Sequence, residues 1–288
     1  RRNGRDVISF CCNDSLNLSQ LPDVKQAAVR ALETEGVGTG ASRLVTGNSP
    51  LFADLERKLA TLKGAEAALV FGSGYMANMG IIPSFVGAGD LVLADELSHA
   101  CLVSGARLSG AQFHTFSHND MADLENLLTR LRAQAHNALI VTDGVFSMDG
   151  DLAPLPQMAE LARAHDAWLM TDDAHGLGVV GGGRGSSFAF GPEKMDVPLQ
   201  MGTLSKAVGG YGGYLCASQP VIDLLKSRAR TLVYSTGLPP ASIAAASAAL
   251  DLISTEKALV EKPVENAAQF CREAGLPAGV VNIVTGDG

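Results

Sequence analysis

The sequence predicts an α/β fold: a mainly parallel central sheet flanked by helices on both faces. Two observations predict it. Short apolar runs bounded by turn residues alternate with stretches of helical period. Those runs are nearly continuous in apolar residues rather than alternating with polar ones, the pattern of strands covered on both sides.

In chain order the runs are AALVFGSG (67–74), DLVLAD (90–95), ALIVTDGVF (138–146), AWLMTDDA (167–174), VPLQMGT (197–203) and GGYLCAS (212–218). Between them FADLERKLATLKG, DMADLENLLTRLRAQ and LPQMAELARAHD place apolar residues three and four apart, which predicts amphipathic helices. After Pro239–Pro240 the alanine-rich ASIAAASAALDLIS predicts a helix that leaves the sheet domain. The domain reading is an N-terminal segment (1–38), a large α/β domain (39–250) and the start of a small C-terminal domain (251–288).

Apolar residues make up 47% of the 288 and charged residues 18%, enough to fill a large core. A formal net charge of −8 argues against nucleic acid or an anionic membrane as partner. No apolar run reaches membrane-spanning length. Five scattered cysteines without a C-x-x-C pair, and histidines without zinc spacing, predict no metal site and reduced thiols in a cytoplasm.

In such sheets ligands bind beyond the carboxyl ends of the strands. The polar residues that close each apolar run are therefore the candidates: Ser73 and Gly74, Glu96 to His99, Asp143 to Ser147, then Asp172, Asp173 and His175, then Thr203 to Lys206. GSGYMANMG (72–80) opens a helix whose free backbone N–H groups can hold a phosphate, although an ordinary strand-to-helix turn reads the same way. DDAHG (172–176) sets a carboxylate pair two residues before a histidine. A buried carboxylate there calls for a cation, either a protonated pyridine nitrogen or an arginine such as Arg184. Lys206, alone among small residues in MGTLSKAVGG, is either a loop lysine reaching water or an amine desolvated to act as a nucleophile. GVGTGASRLVTGN (36–48) follows a helical pattern rather than a strand, which rules out a dinucleotide fingerprint, and no P-loop is present. An amine, a carboxylate, a helix start and histidines, all at strand ends, suit pyridoxal phosphate (PLP).

Nine motifs in order carry a closer resemblance: GASRLVTGN (40–48), FGSGYMAN (71–78), DELSHACL (95–102), SHND (117–120), TDGVFSMDGD (142–151), DDAHG, GRG (183–185), GTLSKAVGG (202–210) and YSTGLPP (234–240). From about Val7 to Pro277 the chain resembles the α-oxoamine synthases, fold-type I PLP-dependent transferases of the aspartate aminotransferase type. The resemblance implies that Lys206 forms the Schiff base with PLP and moves the α-carbon proton. It implies that Asp172 pairs with the pyridine N–H, His175 hydrogen-bonds the phenolic oxygen and His99 stacks on the ring. Ser73, Gly74, Tyr75 and Thr203 are implied to hold the cofactor, Thr203 at its phosphate, with Ser147 near the ring oxygen. Thr236 is implied to reach the phosphate across a homodimer interface.

The implied reaction condenses L-alanine with pimeloyl-CoA, or its carrier-protein thioester, with loss of CO2, as in biotin synthesis. TLSKAVGG and YSTGLPP separate it from the glycine-using 2-amino-3-ketobutyrate CoA ligase, the alternative within the family. The chain departs from the family pattern with Ser15 for a tyrosine and Asp143 for a glutamate. The family continues beyond the position of Gly288 into a small α/β domain whose arginine grips the amino-acid carboxylate, so the resemblance implies a missing C-terminal part and no residue here takes that role. A PLP-binding but catalytically incomplete fragment is therefore the other reading. The stretch AGLPAGVVNIVTGDG (274–288) leaves the family pattern and resembles a segment of aldehyde dehydrogenases.

Overall fold

In the computed structural model, which describes Gly4 and residues 12–275, seven strands form one sheet in the order β1-β7-β6-β5-β4-β2-β3. The strands are β1 (Ala67–Phe71), β2 (Leu91–Asp95), β3 (Gln112–Phe116), β4 (Ala138–Asp143), β5 (Trp168–Asp172), β6 (Leu199–Thr203) and β7 (Gly213–Ala217). The helices before β4 are α1 (Pro22–Glu35), α2 (Pro50–Leu62), α3 (Gly74–Phe85), α4 (Ala100–Ser109) and α5 (Met121–Leu131). After it come α6 (Leu155–Ala164), α7 (Gln219–Arg228), α8 (Arg230–Val233), α9 (Pro240–Thr255) and α10 (Lys257–Glu273).

Strands β2 to β6 pair in parallel, while β7 runs antiparallel to both β1 and β6. The mainly parallel sheet and all six expected strands are present. The sequence reading lacks β3, an edge strand whose QFHTF shows no continuous apolar run. Part of the 274–288 tail, from residue 276 onward, lies outside the described residues, as does Cys11.

Alternate residues of each strand feed opposite cores. Val70, Tyr214 and Cys216 pack with Phe52, Leu55 and Leu59 of α2 and with Ile243, Ala246 and Leu250 of α9. Leu93 and Ile140, on the same face of the sheet by register, pack with Leu124 and Leu128 of α5 and Met158 of α6. On the other face Leu69, Phe71, Val92 and Val141 pack with Ile81 and Ile82 of α3, Leu102 of α4 and Leu225 of α7. Burying each such Leu or Ile stabilises the fold by about 1.5–3 kcal/mol. Helix α9 packs on α1 and α2 and shares this core with them, so the alanine-rich segment does not leave the sheet domain.

Two polar anchors fix the loops at the carboxyl edge of the sheet. Lys63, which caps α2, is buried with Asp173 at the end of β5. Its Nζ lies 2.6 Å from Asp173 Oδ2 and 2.7 Å from the Arg184 carbonyl. The Ser186 N–H donates to the same carboxylate at 3.0 Å. Lys63, and not Arg184, is the cation of this aspartate. Arg184 donates its Nε to the Leu62 carbonyl and lies over the Phe188 ring, 3.5 Å from its centroid.

In the second anchor His118 bridges the ends of three strands. Its Nδ1 is 2.9 Å from buried Asp95, and its Nε2 is 2.9 Å from Asp151 in the loop after β4. Asn119, in the left-handed region at φ 54°, donates its backbone N–H to Asp95 and its side chain to Asp151. Burial pulls the His118 pKa down, but the two carboxylates outweigh it and leave the value raised.

Lys63→Met is expected to cost about 3–5 kcal/mol, because it leaves Asp173 as an uncompensated buried charge; the shift of the denaturant-unfolding midpoint measures it. His118 holds its proton more tightly in the folded chain, so its linked stability is complete below the unfolded value of about 6.5. That contribution is lost as pH rises through the raised folded value. The stability difference between the wild-type chain and His118→Ala should therefore shrink as pH rises above about 6.5, which thermal melts at a series of rising pH values would read.

Candidate active site

The carboxyl ends of β4, β5 and β6, with the first turns of α3 and α4, enclose one group of polar side chains. Register sets Asp143 of β4 directly opposite Asp172 of β5, both on the face that carries α3 and α4. Successive strand residues point to opposite faces, so Asp173 goes to Lys63 while Asp172 goes to the site.

Asp172 is 4% exposed and has no ion-pair partner among the described residues. Its Oδ2 accepts the Asn78 side-chain N–H at 2.8 Å, and its Oδ1 accepts the Ala174 backbone N–H at 3.1 Å. Burial raises its pKa, and the Asn78 hydrogen bond and the Lys206 charge only partly offset this. Asp143 accepts the His99 backbone N–H at 2.7 Å. Burial first, and then the charge of Asp172, push the Asp143 pKa up to about 8.

Lys206 sits in the turn that follows β6. Leu204 N–H donates to the Gly212 carbonyl, Gly209 N–H to that of Lys206, and Gly210 N–H to that of Leu204. Gly209 has φ 70°, and a Cβ there would stand 2.4 Å from the Ser19 backbone nitrogen. Its lack of a side chain therefore serves the approach of the N-terminal segment. Lys206 is half-buried, and its Nζ lies 2.6 Å from His175 Nε2. Burial lowers the Lys206 pKa although Asp172 and Asp143 pull it upward. The His175 pKa falls to about 4, by burial and then by the charges of Lys206 and His99. A neutral imidazole thus meets an amine already biased toward losing its proton.

Ser73 caps α3, its hydroxyl accepting the Met76 N–H at 3.1 Å. The backbone N–H groups of Gly74 and Tyr75 have no acceptor among the described residues. Thr203 lies beside this helix start, since a Cβ on Gly74 would come 3.4 Å from its side chain. Its hydroxyl donates to the Gly212 carbonyl at 2.9 Å and accepts from Ser205 N–H at 3.2 Å, so it also braces the lysine turn.

The remaining expected residues stand at the rim. Tyr75 is exposed at the first turn of α3. Ser147 is exposed in the loop after β4, with no hydrogen bond to the other site side chains among the described residues. Thr236 is exposed and bridges by its backbone to Ser42. The Gly237 N–H donates to the Ala41 carbonyl and the Thr39 hydroxyl to the Gly237 carbonyl, so the glycine-rich stretch at 36–48 serves as the seat of YSTGLPP. Two site residues escape the sequence reading. Asn78 lies one helical turn beyond Gly74, and Cys101 lies two residues after His99, where it contacts both His99 and Asp172.

The chain's own groups suit PLP. A buried carboxylate without a cation fits a protonated pyridine nitrogen, an amine of lowered pKa fits the aldehyde, and unpaired N–H groups at a helix start fit a phosphate.

Comparison with known proteins agrees with this chemistry. Residues 5–279 match the aminotransferase class I and II family. A relative from Parvibaculum lavamentivorans described as a putative 8-amino-7-oxononanoate synthase is 63% identical over 99% of this chain and 74% of its own length. A solved structure described as SPT with the PLP internal aldimine superposes with a TM-score of 0.92 at 32% identity, covering 98% of this chain and 72% of that one. The 8-amino-7-oxononanoate synthase of Francisella tularensis gives a TM-score of 0.79 at 26% identity, covering 97% of this chain and 79% of that one. The chain belongs to the class I and II aminotransferase family, among the PLP-dependent fold-type I transferases related to 8-amino-7-oxononanoate synthase.

Proposed function

We propose that this chain condenses L-alanine with a pimeloyl thioester, on CoA or a carrier protein, to give 8-amino-7-oxononanoate, CO2 and the free thiol. The observation that carries the reading is the Lys206–His175 contact beside unpaired Asp172, in a chain 63% identical to a relative of that name. PLP, when bound, supplies an aldehyde that takes up amines and a protonated ring that draws electrons from bonds at the adjacent carbon.

In this reading Asp172 would hold the ring nitrogen and its proton, because Asn78 and the Ala174 N–H fix the carboxylate and no ion-pair partner competes among the described residues. With the cofactor bound, Lys206 would supply the amine for its aldehyde and take the alanine α-proton in its neutral form, which its lowered pKa favours, and would return a proton in its protonated form. His175, held neutral, would hydrogen-bond the cofactor's phenolic oxygen beside its contact with Lys206. The Gly74 and Tyr75 N–H groups and Thr203 would hold the phosphate, with His99 over the ring face and Ser147 near the ring oxygen. Tyr75 and Thr236 remain exposed on one chain, which supports a homodimer in which Thr236 serves the partner's site.

Among the described residues no helix is long and apolar enough to cross a membrane. Cys12, Cys101, Cys216 and Cys271 are unpaired, which supports a cytoplasmic placement.

The cofactor-loaded chain should show a visible absorption band that shifts on adding L-alanine, and should release CoA when pimeloyl-CoA follows. A band without turnover would favour the incomplete-fragment reading, and no band would overturn the cofactor assignment. Lys206→Arg should lose the band and lower turnover by about a thousandfold or more, because a guanidinium stays charged. Borohydride reduction of wild-type chain and variant checks that the band depends on this amine.

A further inference from the structure

Asn78 is fully buried on α3, one helical turn beyond Gly74, whose free N–H opens the phosphate seat. Its side-chain amide nitrogen lies 2.8 Å from Asp172 Oδ2 and 3.0 Å from Cys101 Sγ. Its amide oxygen is buried with no donor among the described residues. Helix α4 closes on this point: a Cβ on Gly105 would stand 2.9 Å from the Asn78 carbonyl oxygen, so only a glycine allows the approach.

The two oxygens of Asp172 are held unequally. Oδ1 takes the Ala174 backbone N–H at 3.1 Å, which any residue but proline would supply. Oδ2 depends on side chains, and the Asn78 amide is its one close donor, with the Cys101 thiol standing off at 3.7 Å. Burial favours the uncharged acid, and the Asn78 hydrogen bond is the strongest influence opposing it. An ionised carboxylate only accepts, so the amide must turn its N–H toward it and not its oxygen. The amide carries no charge, so it supports the ionised acid without taking the place of a cation. Its unpaired oxygen is a cost to the fold that an aliphatic side chain would avoid. What Asn78 contributes is therefore its donor.

We propose that Asn78 is a positioning residue that holds Asp172 ionised and turned to accept the N–H of the cofactor's ring, acting only through that carboxylate. The proposal rests on the PLP reading of the site. Gly74 and Asn78 lie on one helix, so α3 then serves both ends of the ligand, the phosphate at its first turn and the carboxylate at its second.

The test titrates the full chain with PLP and with an analogue in which carbon replaces the ring nitrogen, the aldehyde and phosphate being unchanged. The wild-type chain should bind PLP more tightly than the analogue. Asn78→Leu should weaken PLP about tenfold, the worth of a hydrogen bond to a charged group, and change the analogue by less than about twofold. On an Asp172→Ala chain, adding Asn78→Leu should leave the affinity ratio where it was. Equal weakening of both ligands would mark Asn78 as a packing residue and overturn the proposal, and so would PLP binding unchanged from wild type. Asn78→Ala repeats the comparison if Asn78→Leu does not fold. A wild-type chain without preference for PLP would overturn the pairing of Asp172 with a ring nitrogen, and the role of Asn78 with it. A wild-type preference that survives in the variants would overturn the role of Asn78 alone.

Discussion

The pleat of β5 is the constraint on which the rest of the site depends. Two consecutive aspartates end a strand buried on both faces, and extended backbone sends them to opposite sides. No single cation can serve both. Asp173 receives Lys63 and becomes part of the fold, tying α2 to the loop that carries Arg184 and Ser186. Asp172 receives only neutral donors. One peptide bond therefore separates a charge that stabilises the protein from one held ready for a ligand. Had both carboxylates shared a face, their repulsion would have had to be relieved by protonation, and neither role would survive intact.

The surroundings of Asp172 push Asp143, Lys206, His175 and Cys101, as well as Asp172 itself, toward neutrality. Burial raises Asp143 and Asp172, lowers Lys206 and His175, and keeps the Cys101 thiol protonated. Such a site binds a charged group most strongly where its own polar groups already point. A cation at Asp172 would relieve the cost of ionising the acid pair, and an anion at the start of α3 would meet free N–H groups. A zwitterionic ligand with a protonated ring nitrogen at one end and a phosphate at the other satisfies both. On the proposed reading, Asp172 and the α3 start would be the two poles of one ligand site.

Much of this was legible in the sequence because chemistry at a parallel sheet falls where apolar runs stop. Lys206, Asp172 and His175 stand out by that rule alone, before any resemblance is invoked. What the rule misses has physical causes. Strand β3 lies at the sheet edge, and its QFHTF carries no apolar run. Strand β7 reads as buried but gives no sign of its antiparallel direction. The cation of Asp173 lies 110 residues away, while Arg184, close in sequence, turns its guanidinium onto Phe188. Asn78 and Cys101 act through helical phase, since only the docking of α3 and α4 brings them onto Asp172.

The same reasoning explains why the expected residues divide into a floor and a rim. Lys206, His175, Asp172, Thr203 and Ser73 are engaged with one another or with backbone, so their positions are fixed by the fold before any ligand arrives. Tyr75, Ser147 and Thr236 are exposed. A buried polar group must find its partner inside the chain, whereas an exposed one can acquire a fixed role only from something that docks against it. The floor therefore sets the chemistry that a single chain can prepare. The rim assigns recognition to surfaces that ligand or partner must complete, and evolution can alter those surfaces without disturbing the carboxylate and amine beneath.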